Sequence, residues 1–183
     1  MLVMIDRDGV LNEDREDFIK SPGELVMIPG SAEAVARLNG AAYKVALVSN
    51  QSAVGRGLID EAMLERIHAK LKDELRRVGA RLDLLLYCPD PPWAETARRK
   101  PRPGMLLEAM SHFRTSPEKA IMIGDSLRDL EAAKSAGCGR VLVRTGSGAA
   151  TQSRGLPTHL LPIAVYNDLA EAVDGLLGPT SQA

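Results

Sequence analysis

Aromatic residues are almost missing from this chain: one Trp, three Tyr and two Phe make up 3% of its 183 residues. Its core must therefore be built from Leu, Val, Ile, Met and Ala. Cysteine is nearly as scarce. Cys88 and Cys138 lie far apart, which argues against a disulfide framework and suits a reducing compartment. Charge of one sign is lacking too. A formal net charge of -1 offers no overall pull toward nucleic acid or an anionic membrane. No apolar run approaches the length of a membrane span, and no signal peptide is expected before the first one. With no aromatic surface stripe and no heptad seam, a monomer is expected. These absences leave a cytoplasmic protein with a single domain over residues 1–183, long enough to bury a core.

What is present is an alternation. Short apolar runs at 2–6, 45–49, 84–88, 120–124 and 141–144 read as buried strands, separated by segments of helical period. One such segment sets Leu64, Ile67, Leu71, Leu75 and Val78 on one face, opens after Asp60 as N-cap and stops at Gly79. Others open at Pro103-Gly104, run over 127–136, and follow Asp168. This pitch predicts an α/β fold, a parallel sheet with helices on both faces. Pro162 makes any strand near 163–166 an edge strand. The Gly-, Ser- and Thr-rich stretch 146–156 reads as a mobile loop. Two irregular segments, 10–30 and 89–103, exceed a typical connection and follow strand ends, so both should overhang one site.

The first strand ends in Asp6-Arg7-Asp8-Gly9. Two carboxylates this close repel each other and are costly to desolvate, so a cation or a proton-transfer task must compensate. Taken alone, a D-x-D is more often a solvated turn. The residues after the other strands change that balance: Ser49-Asn50-Gln51, Arg98-Arg99-Lys100, and Gly124-Asp125-Ser126 with Asp129 one turn on. In a parallel sheet these converge at one edge, where open α/β sheets bind ligands. Clustered carboxylates suit Mg²⁺ better than Zn²⁺. A lysine and a hydroxyl facing that cation suit a phosphate group. One acid could attack phosphorus while the other moves protons.

D-x-D-G-V at 6–10, the strand ending in Ser49, Lys100 before Pro101 and G-D-S-x-x-D at 124–129 together resemble the haloacid dehalogenase superfamily. D-R-D-G-V-L-N, S-N-Q-S-x-x-G-R-G, Y-C-P, R-K-P-x-P-G-M and G-D-S-L-R-D-L-x-A-A are similar to the D-glycero-D-manno-heptose-1,7-bisphosphate 7-phosphatase family, whose subgroup includes histidinol-phosphate phosphatases. The resemblance implies a Rossmann-like sheet of order 3-2-1-4-5 and a phosphatase acting on a sugar phosphate in nucleotide-heptose synthesis. It implies Asp6 as nucleophile, Asp8 as general acid/base, and Ser49 and Lys100 on the phosphoryl oxygens. One Mg²⁺ would be held by Asp6, Asp125 and the Asp8 carbonyl, with Asp129 orienting water or Lys100 unless it is merely a helix-end acid. Asp14, Arg15, Glu16 and Asp17 would contact substrate, Arg99 would recognise it, and Asn50, Gln51 and Ser52 would line the phosphate side. Arg56 could enter a helix or touch substrate.

The chain departs from that family in one loop. Relatives hold a structural zinc with a Cys-x-His pair and a Cys-x-Cys pair; here the positions carry Cys88, Asp90, Thr96 and Arg98. No zinc is expected, since one cysteine cannot complete a tetrahedral site. Proline at 89, 91 and 92 and packing of Trp93 are the expected braces. Neither irregular segment is long enough for a cap domain. A histidinol-phosphate phosphatase, a broad sugar-phosphate phosphatase and a phosphate-binding regulator without turnover remain alternatives.

Overall fold

The computed structural model describes residues 1–94 and 96–178. Six parallel strands form one sheet: β1 (Leu2–Ile5), β2 (Lys44–Asn50), β3 (Leu84–Cys88), β4 (Ala120–Gly124), β5 (Gly139–Val143) and β6 (Ala164–Tyr166). Their order is β3-β2-β1-β4-β5-β6, the expected 3-2-1-4-5 extended by an edge strand at the position that Pro162 marked. The helices are α1 (Ser31–Gly40), α2 (Ser52–Gly55), α3 (Glu61–Arg77), α4 (Gly104–His112), α5 (Leu127–Ala136), α6 (Gly148–Ser153) and α7 (Leu169–Leu177). Residues 10–30 hold a single 3-10 turn, Pro22–Glu24, and no cap domain.

The strands are apolar on both faces because helices cover both. Successive side chains point to opposite sides. Val3, Ile5, Val45, Leu47, Val141 and Val143 pack with α1, α3 and α7, whereas Leu2, Met4, Ala46, Val48 and Met122 pack with α4 and α5. Cys88 and Cys138 are free, buried members of the second core.

The helix ends follow local chemistry. The Asp60 carboxylate accepts from the Met63 N–H at 2.7 Å to open α3, and Gly79 turns the chain beyond it at φ +74°. Leu64, Ile67, Leu71 and Leu75 are buried as expected. Val78 is not: it falls at the C-cap, past the last regular turn, and stays exposed.

The larger correction concerns residues 146–156, expected to be a mobile loop. They contain α6, and their Gly, Ser and Thr residues serve close approach. A Cβ on Gly148 would lie 1.7 Å from the Val143 carbonyl oxygen. The Ser147 N–H donates to Asp125 Oδ2 at 2.7 Å and the Thr151 hydroxyl donates to the Asp125 carbonyl at 3.0 Å. A buried acid at a strand end needs such donors, and this segment supplies them.

Register sets the geometry of the sheet edge. Ile5 aligns with Leu47 on β2 and with Ile123 on β4, and the Asp6 N–H donates to the Ile123 carbonyl at 3.1 Å. The residues just past β1, β2 and β4 therefore emerge side by side.

Candidate active site

Asp6, Asp125 and Asp129 bring carboxylate oxygens within 4.8 Å of one another. Lys100, 1% exposed, reaches into the group from the β3–α4 connection. Its Nζ lies 3.0 Å from Asp6 Oδ2 and 2.6 Å from Asp129 Oδ1, and donates to the Val48 carbonyl at 2.8 Å. Burial works against its charge, but Asp129 and Asp6 outweigh it and hold the ammonium above its ordinary value. Asp129 also accepts from the Ser126 N–H and hydroxyl at 3.1 and 2.5 Å. Burial would raise Asp129, yet Lys100 and Ser126 keep it low and ionised. Asp129 is thus the capping-box acid of α5 and the anchor of Lys100 at once.

The other two acids carry the imbalance. Burial chiefly, against the pull of Lys100, pushes Asp6 up to about 6. Burial, then Asp129 and Asp6, pushes Asp125 up to about 8. A cation between them would relieve both. With Asp129 committed to Lys100 and Ser126, the residues fit a hard divalent cation held by Asp6 and Asp125. The backbone leaves no side chain in the way: a Cβ on Gly9 or Gly146, both at positive φ, would lie 2.2 or 2.3 Å from Asp125 Oδ2.

Asp8 is held differently. Its Oδ1 accepts from Arg7 Nε and Nη2 at 3.1 and 2.8 Å and from Asn12 Nδ2 at 2.9 Å; Oδ2 accepts from Arg7 Nη2 and Gln51 Nε2, both at 2.9 Å. Burial favours the neutral acid, but Arg7, Asn12 and Gln51 together keep it below its usual value. Arg7, only 1% exposed, was not among the expected site residues. An arginine between two acids reads as a solvated charge, and nothing local in the sequence signals its burial.

The connection after β2 divides its work. Ser49 is buried and accepts from Gln51 Nε2 at 2.9 Å, so Gln51 orients both Ser49 and Asp8. Asn50 clips the neighbouring connection: its amide donates to the Lys100 carbonyl at 3.0 Å and accepts from the Lys100 N–H at 3.1 Å. Ser52 opens α2 at the pocket wall.

Asp6, Asp8, Ser49, Asn50, Ser52, Lys100, Asp125 and Asp129 line a cavity of about 290 Å³ whose mouth adds Asp14, Arg15, Glu16, Arg99 and Arg128; Gln51, expected beside the phosphate, is not among its lining residues. Asp17 does not line it; it is exposed and tied to Arg15 and Lys20. Across the mouth the Arg56 guanidinium lies 5.5 Å from the Phe18 ring and 5.1 Å from the Trp93 ring. It bridges the 10–30 and 89–103 loops by cation–π contacts, a role beyond the two that sequence position offered.

Comparison with known proteins agrees with this geometry. Residues 97–172 match the HAD-hydrolase-like family model. The chain is 42% identical over 176 residues to the D-glycero-beta-D-manno-heptose-1,7-bisphosphate 7-phosphatase of Pseudomonas aeruginosa, covering 96% of this chain and 97% of that one. It is also 42% identical to the D,D-heptose 1,7-bisphosphate phosphatase of Bordetella bronchiseptica, solved with magnesium and phosphate. That superposition has a TM-score of 0.91, again over 96% and 97% of the two chains. A putative HAD-like phosphatase from Mesorhizobium loti is 28% identical, with a TM-score of 0.79 over 95% of this chain and 86% of that one. The chain belongs to the D-glycero-D-manno-heptose-1,7-bisphosphate 7-phosphatase family of HAD-like hydrolases.

Proposed function

We propose that this chain is a Mg²⁺-dependent phosphatase that removes the 7-phosphate of D-glycero-D-manno-heptose 1,7-bisphosphate, a step toward nucleotide-activated heptose. The observation that carries the reading is Lys100 locked between Asp6 and Asp129, beside Asp125, at the floor of a cavity whose mouth is rich in arginine. Cation, lysine and hydroxyl on one side neutralise a phosphoryl group; arginines outside it favour a substrate with further negative charge.

In this reading an Asp6 carboxylate oxygen attacks phosphorus, and the bond from phosphorus to the sugar oxygen breaks. Asp8 gives its proton to that leaving oxygen. Water then attacks the aspartyl-phosphate, loses a proton to Asp8, and inorganic phosphate leaves with Asp6 restored. Arg7 favours the ionised Asp8 that the second step needs. A bound phosphate dianion, being a like charge, favours the protonated Asp8 that the first step needs. Ser49 and Lys100 hold the phosphoryl oxygens. Mg²⁺, held by Asp6, Asp125 and the Asp8 carbonyl, supplies charge neutralisation. Asp14, Arg15, Glu16, Arg99 and Ser52 face the leaving group, while Asn50 and Gln51 act through Lys100, Ser49 and Asp8.

The reading assigns this activity to one domain, residues 1–183, working as a cytoplasmic monomer without nucleic-acid or membrane partners. Large exposed apolar residues such as Val26, Leu107 and Leu161 are scattered over separate segments, and no helix among the described residues is long and apolar enough to cross a membrane. Phosphate release from heptose bisphosphate, histidinol phosphate and fructose 1,6-bisphosphate tests the assignment. A kcat/KM for heptose bisphosphate at least about tenfold above the others is expected. A preference for histidinol phosphate overturns the substrate, and no release from any ester overturns the enzyme.

A further inference from the structure

Arg99 and Lys100 are delivered by a stretch between β3 and α4 that contains neither helix nor strand among its described residues. Arg99 needs holding. Burial and the like charges of Arg128 and Arg56 all work against its guanidinium at the mouth. Its Nη1 is caught at 2.7 Å by the main-chain carbonyl of Asp90. The Asp90 side chain is in turn tied down: Oδ2 accepts from the Thr96 hydroxyl at 2.6 Å and from the Cys88 thiol at 3.2 Å. One residue therefore closes the base of the loop with its carboxylate and aims Arg99 with its backbone. Next to it, Arg98 donates to the Tyr87 carbonyl at 3.2 Å and pairs with Glu108.

Cys88, Asp90, Thr96 and Arg98 are the four positions at which a zinc would be sought from the resemblance, and they do not fit one. Zinc sites of this kind take thiolates and imidazoles. Here burial keeps the lone thiol protonated, and a hydroxyl and a paired guanidinium fill two of the remaining places.

We propose that the Cys88–Asp90–Thr96 hydrogen-bonded knot is the device that positions Arg99 against the substrate's leaving group, without a metal. Asp90 and Thr96 are then positioning residues that govern affinity for the sugar bisphosphate without touching it. The proposal rests on the sugar-bisphosphate reading above.

Three variants, Thr96→Val, Asp90→Ala and Asp90→Asn, test it with heptose bisphosphate and with p-nitrophenyl phosphate, whose leaving group is too small to need Arg99. Thr96→Val and Asp90→Ala are expected to raise KM for the bisphosphate about tenfold, as loss of one charge-assisted contact would. Their kcat, and both constants for p-nitrophenyl phosphate, should stay within about twofold. Asp90→Asn keeps an acceptor for Thr96 and should restore most of the affinity. Amide exchange over residues 96–102 should quicken about tenfold in Thr96→Val, whatever the substrate proves to be. Equal losses on both substrates, an unchanged KM, unchanged exchange, or one equivalent of zinc in the purified protein would each overturn the knot. Failure of the wild-type chain to hydrolyse heptose bisphosphate overturns the functional reading instead, and the exchange rates then judge the knot alone.

Discussion

Asp6→Asn is expected to lower kcat by roughly a thousandfold or more, because an amide oxygen cannot serve as the attacking nucleophile. The substitution is nearly isosteric and sits at a position braced by neighbours. The Asp6 N–H is bonded to the Ile123 carbonyl, and Oδ1 accepts from the Arg7 N–H at 2.7 Å. The fold should survive. Burial first, then Asp129, and only then Asp6 push the Asp125 carboxyl up to about 8, so losing the Asp6 charge relieves it in part. Phosphate affinity should therefore be kept while Mg²⁺ affinity drops, since one of two side-chain ligands is gone. Steady-state kinetics with substrate and metal both saturating separate these effects. Turnover near the wild-type rate would exclude the covalent route.

Lys100→Met should damage stability and activity together, and for one reason. The ammonium is buried between two carboxylates, and removing it strands both. Breaking a buried ion pair from one side costs about 3 kcal/mol or more. That loss should be largest at neutral and higher pH and shrink as the pH falls, because protonating Asp6 and Asp129 removes the uncompensated charge. Urea unfolding at two pH values reads this directly. Activity should fall at least about a hundredfold, since the proposed mechanism also sets the lysine against the phosphoryl oxygens. Lys100→Arg should not rescue it: the planar guanidinium cannot replace a point charge with three converging acceptors. A second change, Asp129→Asn, which removes the stranded charge but keeps an acceptor for the Ser126 cap, should recover part of the stability in the Met variant but not turnover, which separates the structural from the chemical role.

How much of this could be read in advance varies with the range of the interaction. The runs at 84–88 and 120–124 and the helix at 127–136 match their elements to the residue, because apolar run length, capping and Gly137 are local signals. The meeting of Asp6, Asp8, Ser49, Lys100 and Asp125 follows from one topological rule, that strand ends of a parallel sheet share an edge. What stayed hidden depends on contacts distant in sequence. Asn50 lines the cavity beside Ser49, but that its amide also pairs with the Lys100 backbone fifty residues on has no local signal. Ser147 reads as loop composition until Asp125 is seen to need its N–H. Arg7 is a surface residue type brought to 1% exposure by the carboxylate beside it. The knot around Asp90 has no sequence signature of its own; departure from the family's zinc pattern announced only that something else had to brace the loop.

The proposed mechanism has Asp6 attack phosphorus and release the phosphate on C7. Rapid-quench reaction of the Mg²⁺-loaded protein with heptose bisphosphate labelled at the 7-phosphate tests both at once. The expected result is a transient, acid-stable label on the peptide that contains Asp6, decaying into inorganic phosphate as heptose 1-phosphate accumulates. Full turnover with no protein-bound label, or label appearing only when it starts on the 1-phosphate, would contradict it.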